Sequence, residues 1–329
     1  MLLTADDIRN CYRIVLGREP DVTGMNTFTS IVAAHKIEDP YLIAKIMFDG
    51  EEFKSRHWSA KRESIFADLA SIFYHDIDFL LPRSDFSYQT LFHQGAYEPY
   101  VADTMFARLQ AGQVFLDIGA NLGLFALPVA KIVGPQGCVI AVEASQENAK
   151  LLLENANRNL IGNIKIFPVG AGDDNGVVLS PRRLDTSDKV LLPPGDLGRY
   201  ETHYDLVPTI RIDDLLSSCR RKIDTIKIDV EGYEYRVVLG AQNTIRQHGP
   251  DIYLEYSDAF QRHGSNVSGA VLLKLLADMG YAFTVLHREK GPEMIRLASV
   301  GEEIAKIDAI AIESIAAGGT HLDLMLTPR

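Results

Sequence analysis

Along the first sixty residues, apolar positions recur every three or four places. Ile8, Cys11, Tyr12, Val15 and Leu16 share one face, and Thr4 with Asp7 stands where a helix start is capped. The run 17–21, Gly-Arg-Glu-Pro-Asp, ends that helix. A second is predicted over 23–34 and a third from 40 to about 54, where Leu42, Ile43, Ile46 and Met47 line up. Ile65, Leu69, Ile72 and Phe73 extend the helical period over 62–73. Residues 76–95 are rich in aromatic and turn residues, with no period that selects a structure.

A different rhythm follows. Short apolar runs at 114–118, 138–142, 164–169, 225–230 and 252–256 are each bounded by Gly, Asp or Glu, as buried strands are. Helical stretches are predicted between them, at 122–133, 146–159, 235–247 and 269–279, with a kink at Pro128. Strands alternating with helices predict an α/β fold, a doubly wound and mostly parallel sheet covered on both faces. Residues 172–207 carry Pro181, Pro193 and Pro194 and are too long for a bare connection, so an insertion or lid is expected. Two late strands, 281–287 and 322–326, are expected to pair like a hairpin across a polar excursion. The organisation expected is a small helical module over 1–75, suited to protein contacts or self-association, and an α/β domain over 76–329.

Composition narrows the function classes. With 47% hydrophobic and 23% charged residues among 329, the chain has the apolar surface to fold. A net charge of −11, from 33 Lys and Arg against 44 Asp and Glu, argues against nucleic acid and anionic lipid as partners and suggests a neutral or basic acceptor. The three cysteines, Cys11, Cys138 and Cys219, share no metal or disulfide spacing; buried free thiols and a reducing, cytoplasmic setting are expected. Asp6 and Asp7 do not suit a secretory signal, and apolar runs such as 122–133 are too short and too interrupted for a membrane span.

The chemistry concentrates in three places. Residues 114–123, Val-Phe-Leu-Asp-Ile-Gly-Ala-Asn-Leu-Gly, read as a strand ending in an acid, then a Gly-rich turn opening a helix, a setting for a nucleotide cofactor. Asn121 stands where a dinucleotide fingerprint needs its second glycine. Asp117 suits the ammonium of S-adenosylmethionine instead. Glu143 ends the next strand, where a carboxylate accepts from both hydroxyls of an adenosine ribose. Ala171 and Gly172 would let an adenine ring pack closely, and Asp173 could accept from its amine; a plain turn is the alternative. In 226–234, Lys227, Asp229 and Glu231 alternate on one strand face, a costly arrangement unless the charges pair or serve a ligand. Asp229, Glu231 and His263 are the candidate bases for deprotonating an acceptor. Asp229 with Glu231 could instead hold a hard cation such as Mg²⁺. Glu255, a polar residue in an apolar run, is a candidate for the acceptor pocket.

The runs 117–123 and 226–232, with Tyr97-Glu98-Pro99 upstream and Ile212-Asp213-Asp214-Leu215-Leu216 later, resemble FkbM-family methyltransferases. The resemblance spans about 95–258. It implies a class I S-adenosylmethionine-dependent fold, usually serving O-methylation of sugars or natural products. It puts Asp117, Gly119, Asn121, Gly123 and Glu143 at the cofactor, in company with Glu98, Ala120, Ala171, Asp173 and Asp229. The long stretch after Gly172 departs from the family pattern. Tyr12, residues 16–21 and Gly24 resemble a short helical repeat of the DUF4214 type, often fused to enzymes acting on bacterial surface sugars. Two other readings stay open: an NAD-linked oxidoreductase, and a non-catalytic scaffold keeping a cofactor-binding fold.

Overall fold

The computed structural model describes residues 2–12, 20–37, 43, 46–47, 68–83, 85–181, 204–287, 291–316 and 320–329. It divides into two units, Met1–Ser64 and Ile65–Arg329.

In the first unit, α1 (Ala5–Cys11) starts at a capping box. The Thr4 hydroxyl accepts from the Asp7 N–H, and the Asp7 carboxylate accepts from the Thr4 N–H. Helix α2 (Val22–His35) is capped by Asp21, whose carboxylate accepts from the Gly24 N–H. Ile8, Cys11, Tyr12, Val32, Ile37, Ile43 and Met47 form its buried core. Gly24 is dictated by packing: a β-carbon there would overlap the Tyr12 hydroxyl. The third predicted helix, apart from Ile43, Ile46 and Met47, lies outside the described residues.

The predicted helix at 62–73 gives way to strand β1 (Leu69–Tyr74), which pairs antiparallel with β2 (Ile77–Pro82); residues 62–67 lie outside the described ones. The reason is the two-residue turn between them. His75 and Asp76 adopt φ of 45° and 60°, the geometry of a tight hairpin turn. A domain boundary at 75 would therefore cut a hairpin, and the division falls after Ser64 instead. A 3-10 turn (Phe86–Tyr88) and helices α3 (Gln89–Gln94) and α4 (Pro99–Phe106) follow.

The sheet is built from β3 (Val114–Ile118), β4 (Cys138–Val142), β5 (Ile164–Phe167), β9 (Thr225–Ile228), β10 (Asp251–Tyr256), β11 (Tyr281–His287), β12 (Gly291–Ile295) and β13 (Leu322–Pro328). Their order is β12-β11-β13-β10-β9-β3-β4-β5. Strands β5, β4, β3, β9 and β10 run parallel, and β13 enters antiparallel between β10 and β11. The strand order reverses at β3, the expected doubly wound class I arrangement, which opens a crevice at the carboxyl ends of the strands. Alternate residues go to opposite faces. Leu116, Ile226 and Leu254 pack in one cluster, and Phe115, Val139 and Tyr253 in another with Val101, Met105 and Val129.

Helices α5 (Ala126–Val133), α6 (Gln146–Arg158), α7 (Ile212–Leu215), α8 (Glu234–Gly240), α9 (Gln242–His248), α10 (Asp258–Gly264), α11 (Gly269–Asp278) and α12 (Val300–Ala316) complete the unit. Helix α5 starts four residues later than predicted, so Pro128 sits in its first turn. The missing N–H has no intrahelical partner to lose there, and no kink follows from it. The helix predicted over 235–247 is interrupted at Ala241, giving α8 and α9. The excursion between the late strands holds β12 and α12. Those late strands do pair antiparallel, but β11 makes its hairpin with β12.

The 172–207 stretch is not a bare insertion. With β6 (Gly170–Ala171), it supplies β7 (Gly176–Pro181) and most of β8 (Tyr204–Ile210) to a second sheet of order β6-β8-β7; residues 182–203 lie outside the described ones. Cys11 is buried, whereas Cys138 and Cys219 are half-buried, and none of the three is in a disulfide. Among the described residues, no helix is long and apolar enough to cross a membrane.

Candidate active site

At the carboxyl ends of β3, β4, β9 and β10 lies a cavity of about 600 Å³. Its floor is the turn after β3. The N–H groups of Gly119 and Ala120 both donate to the Val142 carbonyl, at 2.9 and 3.1 Å, fastening the turn to β4. Gly119 has φ +84°, and a β-carbon on it would overlap the Asp229 carbonyl oxygen. Asn121 follows in the left-handed region at φ 47°, which Asn tolerates better than most residues. Its amide oxygen accepts from the Tyr88 hydroxyl at 3.1 Å and from Asn148 at 3.2 Å.

Glu143, at the end of β4, braces the turn. One carboxylate oxygen accepts from the Asn121 N–H at 2.8 Å, the other from the Ser145 N–H at 2.7 Å. The same carboxylate lines the cavity wall. Asp117 is 1% exposed, and both its oxygens are buried with no hydrogen-bond partner. Burial pushes its carboxyl up to about 7; Lys227 pulls the other way, while Asp229 and Glu143 add to the rise. An unpartnered buried carboxylate at a cavity wall is costly in isolation and becomes favourable beside a cation.

The opposite wall is a charge network. Lys227 donates to Asp229 at 2.6 Å and lies 4.8 Å from the centre of the Phe125 ring. Burial opposes the charge on Asp229, but Lys227 outweighs it and holds that carboxyl below its ordinary range. Burial, reinforced by the Asp229 carboxylate, drives Glu255 well above its ordinary range. One Glu255 oxygen lies 2.7 Å from His321 Nδ1. His321 Nε2 lies 3.6 Å from Asp323, which accepts from the Tyr100 hydroxyl at 2.7 Å. Glu98, at φ 41° on the residue before α4, is pushed up to about 8 by burial, with Asp323 adding to it.

Glu98, Asp117, Gly119, Ala120, Asn121, Glu143, Ala171, Asp229 and Glu231 therefore share one cavity. Strand β9 ends at Ile228, so Asp229 lies just past it. Glu231 stands in the next turn at φ 53°, not on the strand face expected for it. Three predicted site residues lie elsewhere. Gly123 sits behind the turn, where a β-carbon would overlap Leu152. Asp173 pairs with Arg236 at 3.1 Å, outside the cavity lining. His263 is exposed on α10 and also outside the lining. Asp229, Glu231 and Glu255 each bring an oxygen within 4.8 Å of the other two. Two of the three already have partners in the protein, Asp229 with Lys227 at 2.6 Å and Glu255 with His321 Nδ1 at 2.7 Å, which does not favour the Mg²⁺ alternative.

Sequence reasoning missed His321 and Asp323. Both come from β13 and the residue before it, beyond the excursion, and only the insertion of β13 beside β10 brings them in, with Glu255 opposite Asp323.

A family model for the methyltransferase FkbM domain matches residues 117–283. The match contains the turn after β3, Glu143, and the Lys227–Asp229 pair. Among curated proteins, a 23S rRNA (uracil(1939)-C(5))-methyltransferase of Acinetobacter baylyi is 40% identical over 60 residues. That match covers 18% of this chain and 13% of the relative's length. Among solved structures, methyltransferase FkbM from Methylobacillus flagellatus is 17% identical over 86% of this chain and 56% of its own, with a TM-score of 0.37. Aeropyrum pernix fibrillarin, solved with S-adenosyl-L-methionine bound, is 14% identical over 82% of this chain and 85% of its own, with a TM-score of 0.38. The family match alone carries the assignment.

Proposed function

The chain belongs to the FkbM methyltransferase family, and from that premise we propose that it transfers the methyl group of S-adenosylmethionine to a hydroxyl of a sugar, glycan or related natural product. The observation that carries the cofactor is Asp117: a buried carboxylate with both oxygens unpartnered, at the wall of a cavity large enough for a nucleoside. The ammonium of the cofactor's amino acid end supplies the missing partner. Glu143, fixed by two backbone N–H groups, stands at the cavity wall where the ribose hydroxyls would donate. Ala171, with Gly170 in place of the expected Gly172, which is not in the lining, leaves room for the adenine ring. NAD is the poorer fit, because Asn121 stands where pyrophosphate needs a glycine and carries a side chain held by Tyr88 and Asn148.

The bound cofactor supplies a methyl group activated on a sulfonium. The chain's own residues bind and orient it, and set the electrostatics. Asp229, held as a carboxylate by Lys227, lines the same cavity as Asp117 and Glu231, so the site favours a cationic donor over its neutral thioether product. The acceptor is neutral or basic, since a polyanion would meet this acidic wall.

Calorimetric titration with S-adenosylhomocysteine, with NAD in parallel, tests the cofactor. Binding of the first alone is expected; binding of NAD alone overturns the assignment, and binding of neither favours the scaffold reading. Transfer of tritiated methyl to a panel of methyl glycosides tests the acceptor class. Transfer to ribosomal RNA in place of every glycoside would replace sugar by RNA.

A further inference from the structure

We propose that Glu231 takes the proton of the acceptor hydroxyl, and that Glu234, a buried carboxyl behind the cavity wall, is the residue that positions it. The proposal rests on the methyl-transfer reading above and adds the group that reading lacks. Methylating a hydroxyl requires that its proton leave as the oxygen–carbon bond forms. Asp117 and Glu143 stand at the ends of β3 and β4, and β9 lies on the other side of β3. The turn after β9 therefore borders the part of the cavity left to the acceptor. There Asp229 is engaged by Lys227 at 2.6 Å, while Glu255 and Glu98, raised by burial, hold protons of their own at neutral pH. His321 turns Nε2 towards Asp323, and His263 stands outside the cavity. Glu231 lines the cavity half-buried, with a carboxylate oxygen within 4.8 Å of oxygens of Asp229 and Glu255.

The backbone shows that this place is enforced. Glu231 has φ 53°, a left-handed conformation uncommon for a residue with a β-carbon, and such strain persists only where the surroundings over-determine it. Glu234 supplies that constraint. It is 2% exposed and outside the cavity lining. Its Oε1 accepts from the N–H groups of Val230 and Gly232, both at 3.1 Å, so the residues on either side of Glu231 are pinned to one atom. Its Oε2 accepts from the side-chain amide of Gln261, a fully buried residue whose own amide oxygen accepts from the Tyr235 N–H at 3.3 Å. The Gly232 carbonyl accepts from the Ser265 hydroxyl at 2.6 Å, and a β-carbon on Gly232 would overlap the Phe260 carbonyl oxygen. The turn is thus clamped to α10. Asn121, the left-handed residue of the turn after β3, is held in the same manner by Glu143.

The step balances. The acceptor hydroxyl gives its proton to a Glu231 carboxylate oxygen as its own oxygen bonds to the methyl carbon, and the electron pair of the broken sulfur–carbon bond stays on sulfur. The Glu231 carboxyl then returns the proton to solvent.

Glu231→Gly removes the carboxylate and relieves the backbone strain together. It is expected to raise the urea midpoint above that of wild type; an unchanged or lower midpoint shows that Glu231 serves the fold and overturns the proposal, whether or not an acceptor is known. On the glycoside methylated by wild type, Glu231→Gln is expected to lower kcat by roughly 10²–10⁴-fold, with S-adenosylhomocysteine affinity unchanged. Retained kcat, or loss of kcat together with that affinity, overturns the base role. Glu234→Gln sets an amide against the amide of Gln261 and is expected to lower kcat by up to about 10²-fold with KM little changed. Exchanging the pair, Glu234→Gln with Gln261→Glu, rebuilds the same bonds with donor and acceptor swapped and is expected to restore kcat. Glu231→Gln with Glu234→Gln is expected to be no slower than Glu231→Gln alone, because Glu234 acts through Glu231. Stability restored without kcat in the exchanged pair, or additive losses in the double variant, overturns the positioning role. Should wild type bind S-adenosylhomocysteine yet methylate no glycoside, the sugar reading fails and the urea midpoint of Glu231→Gly still decides the proposal.

Discussion

The carbonyl oxygen of Asp229 occupies the space that a β-carbon on Gly119 would fill. The two sequence motifs, 110 residues apart, are thereby one object: the turn after β3 rests on the end of β9, and the Asp229 N–H donates back to Ile118 at 3.0 Å. Gly119→Ala is both sterically blocked and strained at φ +84°. The variant is expected to lose S-adenosylhomocysteine binding by at least 100-fold while keeping its far-ultraviolet circular dichroism. Binding within threefold of wild type in calorimetry would contradict this account of the turn.

Asp117 exchanges stability for binding. Its folded carboxyl titrates at about 7 against an ordinary 3.8. The unfolded chain therefore binds fewer protons between those values, and the stability tied to this group is intact below 3.8 and is lost as pH rises through about 7. Asp117→Asn removes the charge at nearly constant shape. It is expected to exceed wild type in stability by on the order of 3 kcal/mol at pH 8, with the advantage gone by pH 4, as read by urea denaturation across pH. The same variant is expected to lose cofactor affinity. A stability gain independent of pH would refute the explanation by charge burial.

Asn155, fully buried on α6, ties the β1–β2 hairpin to the cofactor turn. Its amide oxygen accepts from the Leu80 N–H at 2.8 Å, and its nitrogen donates to the carbonyls of Leu80 and Leu122 at 3.2 Å. Asn155→Ala leaves these buried backbone groups unsatisfied, a cost of about 2–4 kcal/mol. The loss is expected in chemical denaturation, together with weaker S-adenosylhomocysteine binding, because the Leu122 carbonyl belongs to the turn. Weakened stability with unchanged binding would show that the tie does not reach the site.

Where local pattern and tertiary demand agree, the sequence is readable. Val114–Ile118 and Cys138–Val142 appear with their predicted bounds because buried parallel strands are apolar throughout and end at turns. Asp117 and Glu143 were legible because they close those strands. Leu69–Tyr74 was misread because Ile72 and Phe73 also suit a helical period, and the turn that overrides it is His75-Asp76, without the usual Gly or Asn. His321 was illegible for another reason. No spacing marks it, and its place in the cavity arises from pairing β13 with β10, some seventy residues earlier in the chain. Asp173 followed the pattern of an adenine contact, yet Arg236, one turn into α8, claims it.

Lys227 tests whether the acidic wall is neutralised from within. Its side chain is 7% exposed, and its ammonium is the cation for Asp229 and the main counterweight to the rise at Asp117. Lys227→Met keeps the packing against Phe125 but strands a half-buried carboxylate, at a cost of up to about 3–5 kcal/mol. With its partner gone, the folded Asp229 carboxyl rises. The penalty is therefore expected in full at pH 8 and shrinks toward pH 5, as Asp229 and Asp117 take up protons and shed the uncompensated charge. A double variant, Lys227→Met with Asp229→Asn, is expected to recover most of the lost stability at pH 8 in urea denaturation. If the double variant is no more stable than the single one, Lys227 supports the fold through packing and not through charge.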